Sequence, residues 1–134
     1  MDTEETVEAI RGFANRKVNV NTHYEWSSYR RVSDNLQTGP AGGTISCTKS
    51  ITFATEFSGN ISGIGLSTGA SVSTSVGYTL NVGPNKRVYM GYRVYYKVET
   101  GTNEFYDTLT GEVLTSTPYM IKIPQYGEYT LFNY

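Results

Sequence analysis

The sequence predicts an all-β protein, an antiparallel β-sandwich or elongated twisted sheet of about seven to eight strands, on three observations. Apolar residues recur at every second position from Val18 onward, which is the period of a strand with one buried face. Turn signals rich in Gly, Pro and Asn punctuate the chain at hairpin spacing. The composition holds only 17% charged residues, twelve Tyr and about thirty Ser and Thr, the profile of pleated, half-buried surfaces.

Residues 1–15 form the exception. Val7, Ile10, Phe13 and Ala14 recur at helical spacing, and Asp2 with Glu5 has the form of an N-cap and its acidic partner. Gly12 weakens that helix, so a short helix and a flexible tail are both compatible with the segment.

The first strand is read over Val18, Val20, Thr22, Tyr24 and Trp26 on one parity, with Asn19, Asn21, His23 and Glu25 on the other. LQTGPAGGT (36–44) is punctuated too densely for a regular element and is expected as a loop. Two long alternating runs follow. Ile51, Phe53, Phe57 and Ile61 share the odd parity, and Val72, Val76, Tyr78, Leu80 and Val82 the even one. SGIGLSTG joins the two runs and can turn, so 50–82 reads as a Ser/Thr-rich amphipathic hairpin. GPNK (83–86) is a turn. Arg87 to Glu99 is a strand with Val88, Met90, Tyr92, Val94, Tyr96 and Val98 on its apolar side. ETGTNE (99–104) reads as a turn, FYD (105–107) as a short strand and TLTG (108–111) as a hairpin loop with Gly where φ is often positive. Val113 to Ile123 continues, Pro124 is expected to break it, and Tyr126 to Tyr134 is the last strand. The expected core is Trp26, Phe53, Phe57, Val76, Leu80, Val94 and Ile121, each on the apolar parity of its run.

At 134 residues and 14.9 kDa the chain is expected to be one domain, 1–134, able to bury a real core. A net charge of -1 and a pI of about 5.8 argue against a nucleic-acid partner. The single cysteine, Cys47, excludes an intramolecular disulfide and is expected in the core. The opening MDTEETVEAIRGF has no apolar run of signal-peptide length, and no segment approaches 18 apolar residues. The composition favours a mature secreted protein over a cytosolic one.

No residue constellation points to an enzyme. His23 lies on the polar parity of its strand and no GxSxG motif accompanies it, so it reads as a surface histidine. One His and one Cys do not make a zinc site. Glu99, Glu104, Asp107 and Glu112 fall around two successive turns and read as solvated rather than as a facing catalytic pair or a calcium loop. No phosphate or dinucleotide fingerprint is present, and neither cofactor nor metal is expected. The aromatic residues carry a separate signal. Ten of the twelve Tyr lie from Tyr78 onward, and Tyr89 and Tyr95 share a parity with Arg87, Arg93 and Lys97. Such a row suits stacking on a sugar, a headgroup or a partner protein, or it is simply Tyr on a half-buried pleat.

The segment TKSITFATEFSGNISGIGLSTGASVSTSVGYTLNVGPNKRVYMGYRVYYKVE (48–99) resembles the aerolysin-like β-pore-forming toxins of the epsilon-toxin and mosquitocidal-toxin type. The likeness lies in two Ser/Thr-rich amphipathic strands around a short loop, followed by a strand that returns after a Pro-x-Lys turn. It implies that the hairpin detaches on homo-oligomerisation and forms a membrane barrel, with a lipid membrane or cell-surface receptor as partner. Physics permits this, since a spanning strand needs about 9–11 residues with alternate side chains facing lipid and lumen. The residues expected to meet lipid are Ile61, Ile64, Leu66, Val72 and Val76, with Ile64 and Leu66 at the tip. Two other readings rest on the same stretch. In one it is the hydroxyl-rich outer face of an extracellular binding or structural module, and in the other the pairing surface of a self-assembling subunit.

Overall fold

The computed structural model describes residues 12–134. Within them every regular element is a strand: β1 (Phe13–Trp26), β2 (Arg30–Arg31), β3 (Leu36–Gln37), β4 (Gly43–Ser46), β5 (Thr52–Ala54), β6 (Glu56–Gly59), β7 (Ser71–Ser73), β8 (Thr79–Val82), β9 (Arg87–Asp107) and β10 (Val113–Asn133). The predicted all-β class is therefore the observed one, with ten strands among the described residues where seven or eight are expected, β9 and β10 being longer than predicted. The main sheet runs β1-β9-β10-β6, with β2 and β3 also pairing along β9, and β4-β8 and β5-β7 form two small two-stranded sheets. All the registers described are antiparallel. The described residues form two compact units, one from 12–23, 56–68 and 98–122, the other from 24–55, 69–97 and 123–134.

The N-terminal helix expected over residues 2–14 lies mostly outside the described residues. Where it enters them it is corrected, because Phe13 and Ala14 open β1. Phe13 stacks on Phe105 of β9 at 5.5 Å, a cross-strand pairing that a helix would not present.

The expected hairpin over 50–82 is also corrected. Only Thr52–Ala54 and Ser71–Ser73 pair with one another. β6 pairs instead with β10 (Tyr119↔Gly59 to Lys122↔Glu56), and β8 pairs with β4 (Gly43↔Val82 to Ser46↔Thr79). The glycines break the long runs: Gly59, Gly63, Gly65 and Gly77 all have positive φ, which ends extended backbone. At Gly59 no other residue fits, since a Cβ would sit 2.0 Å from the Pro118 carbonyl oxygen.

Two expected interruptions do not occur. β9 runs unbroken through 99–104, and β10 runs through Pro124. In β9 the acidic residues that suggested a turn are tied to neighbours on the sheet. Glu99 accepts from Tyr119 at 2.7 Å and pairs with Lys17 at 3.2 Å, while Glu104 pairs with Arg16 at 2.9 Å. Gly101 leaves room for Tyr119, whose hydroxyl would otherwise lie 2.7 Å from a Cβ. Pro118 and Pro124 lie just beyond the two ends of the β6 ladder, where no β6 partner waits for an N–H. The turns at 83–86 and 108–111 form as expected, with Asn85 and Gly111 at positive φ and Asp107 capping the second through Leu109 N at 2.8 Å.

Burial on β9 follows the predicted parity. Val88, Met90, Tyr92, Val94, Tyr96 and Val98 are buried, and so are Ile121 on β10 and Cys47. Trp26, Phe53 and Leu80 are half-buried rather than buried. Phe57 and Val76 are corrected outright, at 53% and 64% exposure. Phe57 lies on β6, the last strand of the sheet, so among the described residues no further strand pairs on its outer side. Val76 lies outside any strand, in the turn that reaches Gly77.

Tyr119, buried against Gly101, carries a pH prediction. Burial first, then its hydrogen bond to Glu99 and that carboxylate's charge, pushes its phenol from 10.0 up to about 12. The folded state holds the neutral form, so the contribution to stability is full below the unfolded value near 10. It is lost as pH rises from there through about 12. Urea midpoints at pH 9 and pH 11 should therefore fall less in Tyr119→Phe than in the wild type. An equal fall in both would show that the Tyr119 phenol does not control this window.

Candidate functional site

The strongest constellation lies on the solvent face of β9 within the second unit. Strand alternation sends the even residues inward and leaves Tyr89, Arg93, Tyr95 and Lys97 half-buried on the other face. β2 brings Arg31 opposite Gly91. β10 supplies Tyr126, Glu128 and Phe132 on one parity, and the end of β1 supplies Tyr24 and Trp26. Gly91 is needed here, because a Cβ would meet the Phe132 ring at 2.5 Å.

These side chains form a continuous ring-and-guanidinium layer. Tyr24 stacks on Tyr95 at 5.5 Å, Tyr95 leans on Trp26 at 4.7 Å and on Tyr126 at 5.3 Å, and Trp26 meets Tyr126 edge-on at 5.7 Å. The Arg93 guanidinium lies 4.0 Å over Trp26 and 4.7 Å over Tyr29. Tyr29 meets Phe132 edge-on, and Phe132 stacks on Tyr89 at 5.4 Å. Arg31 covers Tyr89 at 4.5 Å, and Arg87 covers Tyr134 at 4.7 Å.

One carboxylate anchors the layer. Glu128 Oε1 accepts from Arg93 Nε at 2.6 Å, from a terminal Arg93 nitrogen at 2.5 Å and from the Tyr29 hydroxyl at 2.9 Å. The hydrogen bond from Arg93, then that from Tyr29, holds its carboxyl below the usual range, against a smaller opposing effect of burial. Glu128 is therefore ionised at neutral pH. Glu128 Oε2 carries none of these bonds.

The sequence-read row Arg87, Tyr89, Arg93, Tyr95 and Lys97 is thus one face, as its parity required. Reading along one strand missed Tyr24, Trp26, Tyr29, Tyr126, Glu128 and Phe132. Their own parities were visible, but which strand lies beside β9 is not written in local periodicity.

The other candidate residues lie on the Ser/Thr-rich segment. In the second unit Phe53 and Val72 are paired and half-buried, while Thr52, Ala54, Ser71 and Ser73 are exposed. The Thr52 and Ser73 hydroxyls meet at 2.9 Å. Phe53 leans on Tyr92 at 5.9 Å, and the Tyr92 and Tyr96 hydroxyls donate to the Ser73 and Ala54 carbonyls at 3.5 and 3.4 Å. Burial pushes the phenols of Tyr92 and Tyr129 up, and Tyr129 accepts from Ser75 N at 2.7 Å. In the first unit the loop after β6 is held by Asn103, whose amide donates to Asn60 O and Ser62 O, each at 3.0 Å. Asn15 in turn donates to Asn103 at 3.1 Å. Ile64 is buried at 9% exposure, and Ile61 and Leu66 are half-buried. Of these candidates, Ile61, Ile64 and Leu66 lie in the first unit and Val72 and Val76 in the second. Among these five, Val76 alone is exposed, at 64%.

Compared with protein-family models, curated proteins and solved structures, the chain matches none.

Proposed function

We propose that the protein is a secreted, non-enzymatic, membrane-active β protein of the pore-forming type. In this reading the segment around 52–73 leaves the sheet and joins equivalent segments of other copies in a bilayer. The observation that carries it is the way this segment is held. Among the described ladders only β6 ties it to the main sheet, through four residue pairs with β10, beside strands of 21 residues in β9 and β10; the three β5–β7 pairs lie within the segment itself. Much of what else fixes it is polar: the Asn103 amide, the Tyr92 and Tyr96 hydroxyls, and Tyr129 at Ser75. Polar bonds of this kind contribute about 0.5–1.5 kcal/mol each and are replaceable by water. Segments with few buried apolar contacts open first.

The alternation needed after release is already present in β5 and β7, where Phe53 and Val72 share one parity and Thr52, Ala54, Ser71 and Ser73 the other. In lipid the hydroxyl parity would line the lumen and the Phe53–Val72 parity would meet acyl chains. A barrel wall needs several such hairpins, so a homo-oligomer forms at the membrane and a lipid surface is the partner.

The test is dye release from liposomes of natural membrane lipids. Wild-type protein should release dye. Leu66→Asp should lower the rate at least about tenfold, because carrying a carboxylate into the bilayer costs about 2.5–3.5 kcal/mol per chain. Leu66 is only half-buried, so this variant should keep its melting temperature. Ile64, being buried, is the poorer choice. No release from any lipid mixture would rule the proposal out. A second reading, an extracellular binding module, is favoured by the ring-and-guanidinium face, which requires no rearrangement to be exposed.

A further inference from the structure

We infer that the solvent face of β9 in the second unit binds a linear acidic polysaccharide, in which ionised sugars alternate with neutral ones. Three observations carry this. The first is charge. Arg31, Arg87, Arg93 and Lys97 share the face with the carboxylate of Glu128, and Glu128 is taken up by Arg93. Among the described residues, Arg31, Arg87 and Lys97 have no carboxylate partner, and the first two lie over tyrosine rings. The face is therefore locally cationic on a chain whose net charge is -1, and it complements an anion.

The second is spacing. Along β9 the cationic positions fall at Arg87, at Gly91 (where Arg31 lies opposite), at Arg93 and at Lys97. At about 3.3 Å per residue this line is roughly 33 Å long, and with Arg93 held by Glu128 the cations without a carboxylate partner lie roughly 13 and 20 Å apart along it. Tyr89 and Tyr95 lie between them. Tyrosine rings and cations thus share one line along the strand, with the Arg31 guanidinium over Tyr89, as neutral ring faces and carboxylates share the line of such a polysaccharide. A nucleic acid brings a phosphate with every base and calls for a denser basic track. A bilayer surface rewards protruding apolar groups, whereas here Phe132 stacks on Tyr89 and the most exposed rings, Tyr24 and Tyr126, carry hydroxyls.

The third is the polar outfit. Tyr24 and Tyr126 are 51% and 54% exposed, so their rings are open to a sugar's C–H face. Glu128 Oε2 is spared by Arg93 and Tyr29, which both use Oε1, and lies ready to accept from a sugar hydroxyl.

This inference stands apart from the membrane reading, since a soluble oligosaccharide tests the face alone. The experiment is calorimetric titration of the whole protein with a hyaluronate decasaccharide, which alternates glucuronate and N-acetylglucosamine. Oligo-dT, phosphatidylserine vesicles and a neutral N-acetylglucosamine oligomer are titrated in parallel. Binding should be tightest for the acidic saccharide and weaken with added salt. The double variant Arg31→Gln with Arg87→Gln, and separately Tyr126→Ala, should each weaken it by about tenfold or more, or 1.4 kcal/mol. All three side chains lie on the surface, and unchanged circular dichroism confirms folding. Tighter binding of oligo-dT would overturn the inference, as would no saccharide binding, variants that bind the saccharide like the wild type, or tighter vesicle binding that the same variants abolish.

Discussion

Truncating Ile121 to alanine is expected to cost about 2–5 kcal/mol of unfolding free energy, the range for emptying a well-packed core site. Truncating its cross-strand partner Phe57 should cost less than about 0.5 kcal/mol, the range for exposed sites. The two residues are directly paired between β10 and β6, yet Ile121 is 0% exposed and Phe57 is 53% exposed. The contrast follows from sheet order. β10 has β9 on one side and β6 on the other, whereas β6 is the last strand. Urea denaturation of the two single variants measures both costs. A loss above about 2 kcal/mol at Phe57 would show that a further element covers the β6 edge.

That pair also shows what the sequence reveals and what it withholds. Ile121 and Phe57 have equally good apolar parity, and periodicity says only that a residue lies on the face of a strand that can be buried. Whether something covers that face depends on strand order, which is a long-range property. β9 was legible because it is central, so its parity and its burial coincide from Val88 to Val98. Beyond Val98 the buried positions shift to Asn103 and Asp107, both polar, and no hydrophobic pattern marks them. Residues 99–104 read as a turn for the same reason. Gly and Asn there serve residues far along the chain, with Gly101 making room for Tyr119 and Asn103 holding the loop at Asn60 and Ser62. The hairpin over 50–82 was misread because glycine placement outweighed alternation. Gly59 and Gly77 end the extended runs, and the remaining pieces pair with β10 and β4. The ring-and-guanidinium face was half legible. Arg93 and Tyr95 were found along β9, while Trp26 and Glu128 came from strands whose register no local pattern fixes.

The proposed release of the segment around 52–73 has a large, reversible consequence. Ser73 faces Thr52 on the same two-stranded piece, so a disulfide there would not fasten the segment to the main sheet. Ser58 and Met120 are directly opposed between β6 and β10, and a bridge there would. Opposed residues in an antiparallel ladder lie about 4.5–5.5 Å apart at Cα, within the range a disulfide spans. Cys47 is buried and is replaced by Ser so that it cannot exchange. The most direct measurement is dye release by Cys47→Ser carrying Ser58→Cys and Met120→Cys, oxidised and then reduced, on one protein preparation. The account predicts no release from the oxidised form and release at the Cys47→Ser rate after reduction, with the same circular dichroism in both states. Equal release from the oxidised and reduced forms would contradict it, because β6 would then never need to leave β10.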